Sequence, residues 1–382
     1  MKQIYMDHAA TTPMHQEAVG AMIPVFQEDY GNPSSVHAVG RRARQLLDQA
    51  RTTAAASIHA DVKEIIFTSG GTEADNLAII GTALANKESG NHIITTKQEH
   101  HAALHATAYL ERNGFEVTYL PVYENGQISV DDVRAALRPE TILVTVMYVN
   151  NETGVKQPID EIGDLLRNHQ AYFHTDAVQA YGLININVKQ QGIDLLTVSS
   201  HKINGPKGVG FLFVNQNLRV EPLQHGGEQE RKKRAGTENV AGIVGFSKAI
   251  ELAMKQKEDK QKHYTKLMKH FIDCLTDEQI MFHINGDRNL ALPTIINISF
   301  PGTQVEALLM NIDLSGIAAS SGSACTAGSV EPSHVLTAMY GSENERAKNS
   351  IRFSLGLYNT MDEMKEAAER IGNIMRRLTR KR

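Results

Sequence analysis

Residues 64–85 read EIIFTSGGTEADNLAIIGTALA. The apolar run Ile65-Ile66-Phe67 is β-branched and aromatic, it stops at Ser69-Gly70-Gly71, and a helical pattern opens directly behind it. A strand feeding a helix through a glycine turn is the repeating unit of an α/β domain. The alternation continues to about residue 215 through the runs HIITTKQEH, FEVTYLPV, TILVTVMYV, AYFHTDAV, LLTVSSHKI and VGFLFV. Most are nearly continuous in hydrophobicity, as strands of a parallel sheet covered on both faces by helices must be. Between them, SVDDVRAALRPE offers Ser129 as a helix N-cap, with Asp131 and Asp132 in the first turn.

Past the long polar helical stretch AIELAMKQKEDKQKHYTKLMKHFIDCL the texture changes. Strand patterns become sparse (TIINISF, SIRFSLG) and the chain ends in the amphipathic pattern MDEMKEAAERIGNIMRRL. We read a smaller α+β domain beginning near residue 260. Across the 382 residues, 41% are apolar and 21% charged, which is ordinary for a globular protein. A net charge of -4 argues against a nucleic-acid-coating protein. The basic ending, Arg376 to Arg382, reads as a helix end where cations suit the dipole. No apolar run approaches the roughly 18 residues of a membrane span, and the N-terminus lacks the apolar region of a signal peptide. Two cysteines cannot build a disulfide framework, so a cytoplasmic location is expected. The sixteen histidines form no metal-ligand spacing, and no metal is expected.

In an open parallel sheet, ligands bind beyond the carboxyl ends of the strands, and polar residues collect there. TSGGTEADN places Gly71 and Thr72 at a helix start, an anion cradle of free amides and helix dipole. No GK[ST] follows, so it is not a triphosphate loop. His100 and His101, Asn150 and Asn151, Asp176 and Gln179, then Ser199, His201 and Lys202 follow at successive strand ends. Each has a plain reading: a helix cap for the histidines and Asp176, an exposed turn for Lys202. One cofactor accounts for them jointly. Pyridoxal phosphate needs a lysine to bond, a carboxylate on its ring nitrogen and an anion cradle. Lys202, Asp176, and Ser199, His201 and Thr72 supply these in turn.

The order DHAATTP, TSGGTEADNLAI, EHHA, NNETG, HTDAVQ, SSHKINGPKG, RAGTEN, SSGSACTAGS, EPSHV and SIRFSLG resembles the NifS/IscS cysteine desulfurases, class V aminotransferase relatives of fold type I, from about residue 5 to 356. The resemblance implies a large domain over residues 14–259 with a seven-stranded, mainly parallel sheet. Residues 1–13 and 260–382 would form the small domain. It implies removal of sulfur from L-cysteine to give L-alanine and a persulfide on Cys325. Lys202 would bond the cofactor and Asp176 hold its ring nitrogen. His100 would stack on the ring and shuttle protons, and Gln179 would meet the phenolic oxygen. Asn151 and Arg352 would bind the substrate carboxylate, Asn151 also touching the cofactor. Thr237 would reach the phosphate of a neighbouring subunit, which implies a homodimer. Iron-sulfur scaffold proteins or tRNA thiolation enzymes are the implied sulfur acceptors, with no direct contact to nucleic acid or membrane. Glu228, the basic pair Lys232-Lys233 and the short basic C-terminus depart from the family pattern, and we expect them to affect partner choice rather than chemistry.

Cys325 lies in AASSGSACTAGSVEPSHV, residues 318–335, where glycine, serine and alanine leave little burial to oppose chain entropy. A cysteine that takes sulfur at the cofactor and hands it to another protein needs such a segment. Cys274, in HFIDCLTDE, reads instead as a small apolar side chain on a helix. An aminotransferase or a selenocysteine lyase on this fold, or a non-enzymatic sulfur-trafficking platform, are the rival readings. The first would have no use for Cys325, and the last no use for Lys202, Asp176, His100 and Arg352 together.

Overall fold

The computed structural model describes residues 2–322, 325–326, 329–330 and 332–379, with backbone alone at 325–326 and 329–330. All seven apolar runs are strands of one sheet: β1 (Ile65–Thr68), β2 (His92–Thr96), β3 (Glu116–Leu120), β4 (Thr141–Thr145), β5 (Tyr172–Asp176), β6 (Leu195–Ser199) and β7 (Gly210–Val214). Their order across the sheet is β1-β7-β6-β5-β4-β2-β3. Only β7 runs against its neighbours, antiparallel to both β1 and β6. The protein is thus α/β with a seven-stranded, mostly parallel sheet.

Side chains alternate between the two sheet faces, and each face has its own apolar layer. Ile65, Phe67, Phe211 and Phe213 pack on one side with Leu47, Ala50, Phe246 and Ile250 from the helices Ala38–Ser57 and Val240–Lys255. Ile66 and Leu212 point the other way, onto Leu77, Ala103 and Leu110. Burial of apolar surface on both faces, worth about 25 cal/mol per Å², is what holds such a sheet between helices. Strand β3 lies at the edge and is only partly covered.

Three local readings meet the structure differently. Ser129 does cap its helix, accepting the Asp131 N–H at 3.1 Å. The helix behind the glycines is not uniform: Gly71–Asn76 passes through a π-helical turn, Leu77–Gly81, before Thr82–Ala85. The long polar stretch is two helices, Val240–Lys255 and Lys257–Asp277, broken at Gln256. They serve different layers, the first packing on the sheet and the second on Met364, Ala368 and Ile371 of the last helix. Tertiary burial overrides a continuous helical pattern there.

A third apolar cluster joins Leu267, Phe271, Ile296, Ile298, Ile351, Phe353 and Ile371 to Ile4 and Met6 from the other end of the chain. Ile4–Tyr5 pairs in parallel with Ile317–Ala318, and Ile295–Ser299 runs antiparallel to Ser350–Ser354. No described helix is long and apolar enough to cross a membrane.

The segment leading to Thr237 is pinned by a buried ion pair. Arg51 holds Glu230 through two bonds of 2.6 and 2.7 Å, and Glu230 also accepts the Phe67 N–H at 2.9 Å. Glu230, Arg231 and Lys232 all take positive φ (44°, 56° and 66°), a conformation costly for side-chain-bearing residues. The bidentate pair gives this segment the fixed geometry that its backbone preferences oppose.

Candidate active site

The carboxyl ends of β1, β2, β4, β5 and β6 converge on a cavity of about 340 Å³. Of the predicted site residues, Gly71, Thr72, His100, Asn151, Asp176, Gln179, Ser199, His201, Lys202 and Arg352 all line it. Thr237 does not: it lines a separate small cavity with Ser69, Glu230 and Arg234. The backbone of Cys325–Thr326 pairs antiparallel with Ser329–Val330. The Cys325 side chain lies outside the described residues.

Lys202 ends a 3₁₀ turn, Ser200–Lys202, that leaves β6. Its Nζ donates to the carbonyls of Ala9 and Ala10, the latter at 2.8 Å. Gln179 Nε2 donates to the same Ala9 carbonyl at 3.0 Å. Burial, helped by the Arg352 charge, pulls the Lys202 amine down to about 8, against the opposing pull of Asp176 and Asp7. An amine near neutrality can both bond and exchange protons.

Asp176 closes β5 and accepts the Val178 N–H at 2.8 Å. Burial pushes its carboxyl up to about 6, with that hydrogen bond and the Lys202 charge pulling the other way. A cation placed against it would restore its charge. His100 combines the plain reading with the sharp one. It caps the helix His101–Arg112, its Nδ1 accepting the Ala102 N–H at 3.1 Å, and it lines the cavity. Burial and then the Lys202 charge lower it to about 4, and His201 is lowered to about 4 for the same two reasons. Both rings are neutral at pH 7, and because His100 Nδ1 accepts the Ala102 N–H, the His100 ring proton sits on Nε2. Arg352, on the strand Ser350–Ser354, donates to the Asn151 carbonyl at 3.1 Å and to Asp7 Oδ1 at 2.8 Å.

Several residues escaped the sequence reading. Asp7 pairs with Arg352, and Ala9 and Ala10 hold the lysine, although DHAATTP carries no chemical signature of either task. Asp75 also lines the cavity, fully buried, its Oδ1 without a hydrogen-bond partner among the described residues. Burial and the Asp176 charge hold it well above the usual carboxylate range. Its place in TEADN, one helical turn past the cradle, was the only available signal.

The donor set fits pyridoxal phosphate. A half-buried amine, a buried carboxylate and an arginine, Arg352, whose Nε has no hydrogen-bond partner among the described residues line one cavity of the size that small ligands occupy, roughly 300–1,000 Å³. Gly70, with φ 148°, and Gly71, where a Cβ would press Val178 at 3.1 Å, bring the chain close at the helix start. Bulkier residues would fill the space an anion needs.

Beneath this floor, buried His174 bonds Thr145 Oγ1 at 2.8 Å and Thr197 Oγ1 at 3.1 Å, with Asp75 Oδ1 3.7 Å away. Burial lowers its ring to about 3, so the folded protein keeps it neutral while the unfolded chain takes up a proton below about 6.5. Wild-type stability therefore falls as pH drops from 6.5 towards 3, by at most about 1.4 kcal/mol per pH unit for this one group. His174→Gln is expected to be less stable than wild type at pH 7.5, by about 1–3 kcal/mol. That gap should narrow between pH 6.5 and 4, as read from urea midpoints; a gap independent of pH would refute the assignment.

Comparison with known proteins places these features. The aminotransferase class-V family model matches residues 4–366. A putative cysteine desulfurase IscS 1 of Bacillus subtilis (strain 168) is 57% identical over 379 residues, covering 99% of this chain and 100% of its own. The cysteine desulfurase IscS of Methanosarcina thermophila is 48% identical, over 99% of this chain and 93% of its own. A solved NifS-like protein superposes with a TM-score of 0.92 at 33% identity, over 98% of this chain and 99% of its own. With its sheet, its cavity and nearly its whole length accounted for, the chain belongs to the aminotransferase class-V family, among the IscS/NifS cysteine desulfurases.

Proposed function

We infer that the chain is a pyridoxal-phosphate-dependent cysteine desulfurase that converts L-cysteine to L-alanine and passes the sulfur, as a persulfide on Cys325, to acceptor proteins. The observation that carries the reading is the meeting of Lys202, Asp176, His100 and Arg352 around one cavity in a chain of this family. Lys202 would hold the cofactor covalently and Asp176 its ring nitrogen, with His100 against the ring and Gln179 at its phenolic oxygen. Gly71, Thr72, Ser199 and His201 would take the phosphate, joined by Thr237 of a neighbouring subunit in a homodimer. Its position outside this chain's cavity is compatible with service to another copy.

The bound cofactor supplies an electron sink for the substrate's Cα. Arg352 orients the substrate through its carboxylate, with Asn151 beside it, since a planar guanidinium can meet both oxygens. Lys202, its amine lowered towards neutrality by burial, moves the proton at Cα. His100, neutral at pH 7, holds or returns the proton near sulfur. The Cys325 thiolate attacks the substrate sulfur; a sulfur–sulfur bond forms as the carbon–sulfur bond breaks, and the carbon skeleton leaves as alanine after protonation. A thiol is a poor nucleophile at its ordinary pKa of roughly 8.5, so the thiolate is the reacting species.

We also propose that residues 14–259 form the large domain and that 1–13 with 260–382 form the small one, a division supported by the cluster uniting Ile4 and Met6 with Phe271 and Phe353. A cytoplasmic location and an iron-sulfur scaffold or tRNA-thiolation acceptor belong to the same proposal. The test is to incubate purified holoenzyme with L-cysteine and a reductant and to quantify alanine and sulfide. Equal amounts are expected. Alanine without sulfide, or pyruvate in its place, would overturn the reading.

A further inference from the structure

Glu152 stands next to Asn151 and is fully buried. Its Oε2 accepts the Ser333 hydroxyl at 2.5 Å, and that hydroxyl in turn accepts the Leu336 N–H at 3.1 Å, capping the helix His334–Tyr340. The same carboxylate lies against Gly322, where any Cβ would collide with it, and Gly322 has φ 80°. Gly322 and Ser333 are the side-chain-described residues that flank Cys325 on either side, apart from Pro332. Oε1 has no hydrogen-bond partner among the described residues.

Both flanks are tied to the cavity by further bonds. Upstream, Ser320 pairs with Arg352 through N–H···O bonds of 2.6 and 3.2 Å. Downstream, the His334 ring bonds the Glu99 carbonyl at 2.9 Å, one residue before His100. Glu152 itself is held by the Asn150 side chain, which accepts its N–H at 2.9 Å. A buried carboxylate with one unpaired oxygen destabilises a fold by itself. What it supplies here is a fixed relation between two points of the chain.

We propose that Glu152 is a positioning residue that, bonded to Ser333 and packed against Gly322, keeps these two points in a fixed relation and so sets where Cys325 is presented to the cavity. The consequence for sulfur transfer rests on the desulfurase reading above; the fastening itself does not. Loss of the carboxylate removes the Ser333 bond and opens space beside Gly322, leaving the flanks held only by their more distant bonds, and a misplacement of about 1 Å in a reacting group can cost roughly a hundredfold in rate.

The test compares wild-type holoenzyme with Glu152→Ala and Glu152→Gln. The first measurement needs no turnover: iodoacetamide modification of Cys325, followed by peptide mass with Cys274 as the internal reference. Glu152→Ala should change the Cys325-to-Cys274 ratio several-fold. Glu152→Gln, whose amide oxygen still accepts from Ser333 and fills the same space, should stay within about twofold of wild type. The second is persulfide formed on Cys325 in a single turnover with L-cysteine. Glu152→Ala should slow it by about ten- to a hundredfold with the half-saturating L-cysteine concentration unchanged, and Glu152→Gln should restore it. An alanine variant with the wild-type modification ratio and wild-type persulfide rate would overturn the proposal. So would a loss of substrate affinity that matches the loss of rate. A wild-type enzyme forming no persulfide on Cys325 would overturn the desulfurase reading instead, and the modification ratio would still decide the role of Glu152.

Discussion

Lys202→Ala is expected to lower turnover of L-cysteine by about 10²–10⁴-fold, the range lost with a positioned proton-transfer group. It should also remove the visible absorption that the cofactor owes to its bond with the lysine. The amine stands where both tasks converge, at the end of β6, its Nζ fixed by the carbonyls of Ala9 and Ala10. Burial and the Arg352 charge bring it to about 8, within reach of proton exchange at neutral pH. Alanine at this site leaves the anion cradle and Asp176 in place, so cofactor content should fall less than activity does. Added small primary amines should recover part of the rate. A variant that kept a tenth or more of wild-type turnover would show that another group moves the proton.

Cys325→Ala is expected to abolish sulfide and alanine release, by about 10³-fold or more as for the removal of an enzyme nucleophile, with cofactor content and absorption intact. Cys274→Ala is the contrasting variant. Cys274 lies half-buried on the helix Lys257–Asp277, its Sγ 3.7 Å from His270 Nε2. Burial and nearby carboxylates push its thiol up, away from the thiolate that reacts. Its loss should leave turnover within about twofold, as expected of a substitution away from the chemistry. Full turnover in Cys325→Ala, or its collapse in Cys274→Ala, would reverse the two assignments.

The sheet was legible because most of its strands are buried on both faces and read as nearly continuous apolar runs; all seven runs proved to be strands, the partly covered edge strand β3 included. Their lateral order was not, because β1 pairs with β7 across more than a hundred residues and no local pattern encodes that partnership. The cavity was legible where residue chemistry is distinctive: Lys202, Asp176 and His100 each carry a charge or a ring that a strand end rarely needs, whereas Arg352, in the middle of its strand, came from the family resemblance alone. Ala9 and Ala10 act through backbone carbonyls, which every residue has, and so left no trace in the sequence. Asp75 and Glu152 were hidden differently. Exposed carboxylates and buried ones look alike as letters, and only burial separates them. Glu230 was overlooked for the same reason, while its neighbours Glu228 and Lys232-Lys233 drew notice as departures from the family pattern.

The parallel pairing of Ile4–Tyr5 with Ile317–Ala318 has a consequence for biosynthesis. The first strand leaves the ribosome early and then waits for its partner. At roughly 5–20 residues per second that wait is on the order of 15–60 s. Until it ends, Asp7 has no Arg352 to pair with, and the stretch that holds Lys202 through Ala9 and Ala10 is not anchored. Capture of the cofactor in its final geometry therefore waits until most of the chain has been made. A nascent chain halted before residue 317 should sequester it poorly, however completely the central sheet has folded.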